Sequence, residues 1–378
     1  MAADPNSLQG RRRTGRRYVI LVFVVLALAA GWAGLWKFAA GKAQETLDGW
    51  RAREARVGRV YTCGTQTIAG FPFRIELMCD RASAVLQQNH PPLELKLANI
   101  MVAAQVYQPT VLTSEYMSPL TAAEPGHQPT FIANWKLARS SVSGTPNSPE
   151  SVAIMLESAT LDRMNGSARE NMVRAKRIEI HGRMLEGSAR SNPVIEVLLN
   201  LKKTSAPAIH PAATAPVDVD LDVVLRGLKD FAPKPWPDRF REIQAANGRI
   251  EVNKARVQQG ETIAVGSGTL GLNAQGKLQG QLNITVAGLE PFLKNIGADR
   301  MVQSSPTVDR LAGTLDRLMP GLGGIARQQA GANLSAGISL LGQPATLEGK
   351  RAVSLPLRFD EGAIFLGPIP IGKSPTLF

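Results

Sequence analysis

The sequence predicts a mainly β (α+β) fold, with an N-terminal transmembrane helix followed by an extracytoplasmic body of curved antiparallel sheet and a few packed helices. Three observations predict it. Tyr18 to Trp36 carries no charge, over about the 20 residues a bilayer requires. Beyond it, short stretches alternate apolar and polar residues with the two-residue period of a half-buried strand. Glycine (35) and proline (25) are abundant while aromatics make up 5%, so turns are frequent and large core-filling side chains few.

Residues 1–17 read as a basic cytoplasmic tail, 18–41 as the spanning helix and 42–57 as a helical stalk. Arg11, Arg12, Arg13, Arg16 and Arg17 lie on the N-terminal side of the apolar run, which places the tail inside and everything after Lys37 outside. Trp32 and Trp36 fall where an interfacial aromatic belt would sit. A cleaved signal peptide ending near Ala27-Leu28-Ala29 is the alternative, but the apolar run continues well past it. In the stalk Ala43, Leu47 and Trp50 share a helical face, with Arg51, Arg53 and Arg56 outward. The tail accounts for +4 of the net charge of +12. The mildly basic remainder suits an anionic lipid surface or an acidic partner. Nucleic acid is not expected, because the positive charges are dispersed and not interleaved with aromatics.

The body begins with CGTQTIAGFPFRIELMC, residues 63–79. Gly70 and Pro72 suit a chain reversal. Phe73, Ile75, Leu77 and Cys79 alternate with Arg74, Glu76 and Asp80. Counting inward from the cysteines centres the turn on Phe71, so Cys63 and Cys79 would face each other across a hairpin on its buried side. The reading is a disulfide, with two separate buried thiols as the alternative. Strands are expected around Arg81–Leu86, Leu93–Val106, Val152–Arg163, Arg174–Met184, Pro193–Leu201 and Val217–Leu225. The Ala/Pro-rich stretch 204–216 separates an N-terminal β-rich half, 58–203, from a C-terminal one, 217–378. Arg226–Ala246 reads as largely helical, broken by Pro233, Pro235 and Pro237. Arg249–Val257, Glu261–Leu272 and Lys277–Val286 form the clearest ladder, turned at Asn273-Ala274-Gln275-Gly276. Leu289–Ile296 and Val308–Arg327 read as helices, the second with a stripe of Leu311, Leu315, Leu318 and Leu322. A last hairpin turns at Asp360-Glu361-Gly362.

The chemistry-bearing motifs are weak. Gly266-Ser267-Gly268-Thr269-Leu270-Gly271 matches a dinucleotide fingerprint, but a β hairpin follows it where a helix N-terminus is needed. Asp218, Asp220 and Asp222 share a strand face without the loop that calcium favours. His90, His127, His181 and His210 are scattered, and none has a second ligand at metal spacing. No metal site, cofactor or catalytic residue is predicted, so the chain is not expected to be an enzyme.

The membrane helix, Trp50, the Gly-Phe-Pro-Phe hairpin, Ala133-Asn134-Trp135, AANGRIEV (245–252), GTLGLNAQGKLQGQLNITVAGLEPFL (268–293) and DEGAIFLGPIPIG (360–372) with Pro375 occur in an order that resembles a bacterial envelope family catalogued as domain of unknown function 2125. The hairpin and the G-x-L-x-L-N-x-x-G-x-L-x-G repeat also look like the wider AsmA-like and tubular lipid-binding groups. The resemblance implies a single-pass inner-membrane protein with a periplasmic body, and it carries no catalytic residue. With the half-apolar strands, it leads to an expected lipid or other apolar ligand in a sheet groove, lined by Phe71, Phe73, Ile75, Leu77, Leu278, Leu282 and Ile284, with basic residues near the stalk taking the head group. A structural or assembly protein that engages an envelope protein partner through a sheet edge or the leucine stripe is the alternative.

Overall fold

The computed structural model describes residues 12–144, 148–209, 211–232, 234–288, 342–367 and 369–378. The helices expected at Leu289–Ile296 and Val308–Arg327, and the leucine stripe, lie outside the described residues. Two α-helices and eighteen strands are found among them: α1 (Arg12–Arg56), β1 (Arg59–Thr62), β2 (Thr65–Ala69), β3 (Arg74–Leu86), β4 (Leu93–Gln105), β5 (Gln108–Ala123), β6 (Phe131–Asn134), β7 (Leu137–Ser143), β8 (Ser151–Asn165), β9 (Ala168–Ser188), β10 (Ser191–Thr204), β11 (Val217–Arg226), α2 (Trp236–Ala245), β12 (Arg249–Gln259), β13 (Thr262–Leu272), β14 (Leu278–Ala287), β15 (Gln343–Leu347), β16 (Lys350–Asp360), β17 (Ala363–Leu366) and β18 (Ile369–Lys373).

Every pairing is antiparallel and nearly every strand pairs with its neighbours in sequence, giving one long meander. Three rows hold two short strands end to end: β1 and β2 both lie on β3, β6 and β7 lie between β5 and β8, and β15 and β17 both lie on β16. The Ala/Pro-rich connection does not interrupt the sheet, because β10 and β11 pair across it from Ile195↔Leu225 to Thr204↔Val217.

The expected ladder and both turns are borne out. Asn273 closes the β13–β14 turn by accepting the Gln275 and Lys277 amides on Oδ1. Glu361 and Gly362, both at positive φ, turn β16 into β17. Arg226–Ala246 differs from expectation. Only Trp236–Ala245 is helical, starting directly after Pro235 with Pro237 in its first turn. There a missing amide proton costs nothing, so these prolines start the helix where the sequence suggested they would interrupt it.

α1 is one unbroken helix, about 68 Å long at 1.5 Å per residue. Its Arg16–Arg56 portion is long and apolar enough to cross a membrane, and Tyr18–Leu26 and Leu28 are exposed. Its C-terminal half runs antiparallel along the β1/β2 row. Trp32 Nε1 donates to Pro72 O at 2.9 Å, Trp36 Nε1 to Arg74 O at 2.8 Å and Gln66 Nε2 to Gln44 Oε1 at 2.7 Å. Trp50 packs on Tyr61 at 4.7 Å, and Arg59 bonds Glu54 at 2.5 Å. The helix thus shields the first row of the sheet, where unpaired backbone groups would otherwise invite another strand.

Candidate functional site

Cys63 and Cys79 are at disulfide distance, with Cα atoms 5.5 Å apart. Their register is not the expected one. Gln66 lies opposite Cys79, and the turn is centred between Pro72 and Phe73, one residue and a half beyond Phe71. Cys63 sits in the gap between β1 and β2, and Gly64 N donates to Asp80 O at 3.0 Å. The bridge therefore spans an interruption of the ladder.

That interruption continues across the sheet as a crease. Arg81 has φ 51° in β3, the β4–β5 register shifts between Leu97 and Asn99, Trp135-Lys136 separates β6 from β7, Ser158 has φ 52° in β8, and Lys203 has φ 49° in β10. The apolar alternation changes phase along the same line. In β3 it moves from Ile75, Leu77 and Cys79 to Ala82, Ala84 and Leu86; in β8 it moves from Val152, Ile154 and Leu156 to Ala159 and Leu161. Bulged or left-handed residues re-aim a strand by one position, so both apolar sets can serve one face. Trp135 ties the crease together: its Nε1 donates to Tyr116 O at 2.8 Å, and its own carbonyl accepts from Ser118 Oγ at 3.1 Å.

On the Gly70–Phe73 side of the crease, the pairings join Leu77–Val102–Ser114–Ser140–Ile154–Ile180–Leu199–Leu221–Ala255–Gly266–Ile284–Leu355 into one uncharged row across twelve strands. A parallel row runs from Ile75 through Leu112, Val152, Val197, Val223 and Leu282 to Leu357. At about 4.8 Å per strand the apolar track is about 53 Å long. The row next to the first, on the crease side, points the other way and carries Glu115, Arg139, Glu179, Asn200, Asp220 and Arg256. It is held by ion pairs such as Arg139–Glu115 at 2.6 Å and Lys202–Asp220 at 3.1 Å. Asp218, Asp220 and Asp222 belong to this network: Asp218 accepts from Lys203 N and Asp222 from Asn253.

Burial differs along the track. At its C-terminal end Ile284, Val286, Leu355 and Leu366 form a closed cluster, with Leu282, Val353 and Leu357 against it. From β3 to β11 the same rows are only half buried: Ile75, Leu77, Val102, Ile154, Ile180, Leu199 and Leu221 are all of this kind. The expected lining residues therefore lie in four settings. Ile75 and Leu77 lie on the half-buried track, and Leu278 lies at the start of β14, opposite Leu272 and outside both rows. Leu282 and Ile284 belong to the closed cluster. Phe71 and Phe73 lie at the exposed hairpin tip beside α1. The sequence did not point to Ile154, Ile180 or Leu199, because strand order decides which strands join a row. An apolar cavity of about 350 Å³, separate from the track, lies beneath α2 against Leu225, Leu228, Ile243, Ile250 and Leu270.

The G-x-G-x-x-G stretch is mid-strand in β13, where Gly266 faces Ile284 and Gly268 faces Leu282. These glycines let the strands approach: a Cβ on Gly266 would come within 2.9 Å of the Ile284 side chain. His181 is exposed on β9 opposite Ala153. Arg51, expected to face outward from the stalk, lies 3.8 Å from Asp48.

No curated protein matches the chain. A family model does, over residues 36–375, from the last turn of the apolar helix segment almost to the C-terminus. The chain belongs to the bacterial family described as "uncharacterized protein conserved in bacteria (DUF2125)".

Proposed function

We propose that α1 anchors the protein in the inner membrane, with the body in the periplasm, and that the half-buried apolar track holds a lipid or another apolar envelope ligand. One observation carries this reading. The uncharged rows run unbroken through the sheet, yet among the described residues they close into a fully buried cluster only from β13 onward. Apolar surface left half exposed along the eight strands of the row from β3 to β11 is a cost in water that a bound chain removes, at roughly 0.8 kcal/mol per buried methylene. The cysteine pair is consistent with an oxidising compartment. The AsmA-like likeness of the repeat supports the same ligand class. The role proposed is binding, without chemistry on the ligand.

The test is photo-crosslinking in cells with a benzophenone amino acid, placed at Ile154 or Leu199 on the track and at Glu179 on the opposite face. Lipid adducts at the first two positions and not at the third are expected in mass spectra of the purified chain. Protein adducts at the track, with no lipid mass at either position, would overturn the lipid reading in favour of an assembly role.

A further inference from the structure

We infer that the Gly70–Phe73 hairpin tip and the adjoining β4–β5 turn insert into the outer leaflet of the membrane that α1 crosses, so that the apolar track begins at the bilayer surface. This rests on the anchoring of α1 proposed above.

Four observations carry it. First, the tip is fixed at a definite depth on the helix. Pro72 O and Arg74 O accept from Trp32 and Trp36, and Phe71 meets the Trp36 ring edge to face at 5.6 Å. Second, the helix has no slack. Its charge-free run, Tyr18 to Trp36, gives about 28 Å against a hydrocarbon core of about 30 Å. Lys37 is the first charge, so the Trp32 indole lies about 7 Å inside it along the axis. Burying the run in lipid carries the hairpin tip in with it. Third, the tip presents aromatics outward: Phe71 is 55%, Phe73 63% and Tyr107 72% exposed. Tyr107 is brought alongside by Val106 N donating to Phe73 O at 2.9 Å. Aromatic side chains of this kind favour the membrane interface. Fourth, three of the four tip carbonyls are bonded within the protein: Pro72 O accepts from the Trp32 indole, Gly70 O from Arg74 N at 3.1 Å and Phe73 O from Val106 N, and Pro72 has no amide proton. Such internal bonding lowers the cost of placing backbone in lipid. Arg74, paired with Glu76 at 2.8 Å and well exposed, sits where a long cation reaches back toward head groups.

Ile75 and Leu77, the first residues of the two apolar rows, directly follow the tip on β3. A lipid leaving the outer leaflet would meet the track without crossing water.

The experiment uses the full chain in vesicles of phosphatidylethanolamine and phosphatidylglycerol, with an environment-sensitive fluorophore on single introduced cysteines and doxyl-labelled lipids as quencher. The positions are Phe73→Cys and Tyr107→Cys in the two turns, Val25→Cys within α1, and Gln88→Cys at the opposite end of β3. Blue-shifted emission that is largely quenched at positions 73, 107 and 25, but unquenched at 88, is the expected result. Quenching at 25 with water-like emission at 73 and 107 would overturn the inference and leave the anchor standing. Absence of quenching at 25 would overturn both.

Discussion

Asp162 is a buried carboxylate in β8 that accepts from Arg169 Nε at 2.8 Å and from Asn171 Nδ2 at 2.8 Å. Burial alone would raise its pKa, but the hydrogen bonds from Asn171 and Arg169 outweigh it and hold the carboxyl below its usual range. A depressed pKa stabilises the fold above the unfolded value, and that contribution is lost as pH falls through the folded one. Asp162→Asn should cost about 1–2 kcal/mol at neutral pH in urea titrations, and the difference from the parent should shrink below about pH 4. The cysteine pair makes a second prediction at this scale. Thiol labelling of native, unreduced protein should find no free thiol, and reduction should remove about 3 kcal/mol of stability. Reaction of both sulfurs without reductant would refute the bridge. The pair itself was legible from alternation around Cys63 and Cys79. Its register was not, because counting inward assumes an unbroken ladder, and Arg81 with its left-handed backbone breaks it.

Elements with a strong local signal were legible: the charge-free helix, the β12–β14 ladder, and the turns at Asn273 and Glu361. The long strand β5 was not predicted; Pro109 and Pro119 lie within it, and proline weakens a strand pattern. The crease was also invisible, because a phase change in one strand looks like a weak strand until its neighbours show the same shift. Trp135 is the residue whose role this explains. Trp135→Phe keeps an aromatic ring, smaller than the indole, and removes the bond to Tyr116 O; it should lower stability by at least about 1 kcal/mol in denaturant titrations. Hydrogen exchange should show the added opening concentrated where β6 and β7 meet β5 and β8. An even rise over the whole sheet would mean that Trp135 has only a general packing role.

At the scale of the molecule, the sequence gives each strand an apolar face, but pairing decides whether those faces join. Leu77, Ile154 and Leu355 are far apart in the chain and lie in one row only because every register in between is kept. This is why the apolar track could be anticipated as a class of surface while its members could not be named. It is also why the proposed lipid site does not depend on one pocket of side chains. A charge placed in a single row would be felt locally, whereas a one-residue slip between two strands would cut the track in two.

The meander has a consequence for how the protein comes into being. Each new strand pairs mainly with the strand made just before it, so the contacts that form the sheet are short in sequence. Local contacts of this kind close quickly. A chain delivered across a membrane from its N-terminus would find a finished edge waiting for each strand as it emerged. The β1/β2 row, held along α1, supplies the starting edge. Under the anchoring proposed above, export and folding would proceed as a single zipper that runs outward from α1.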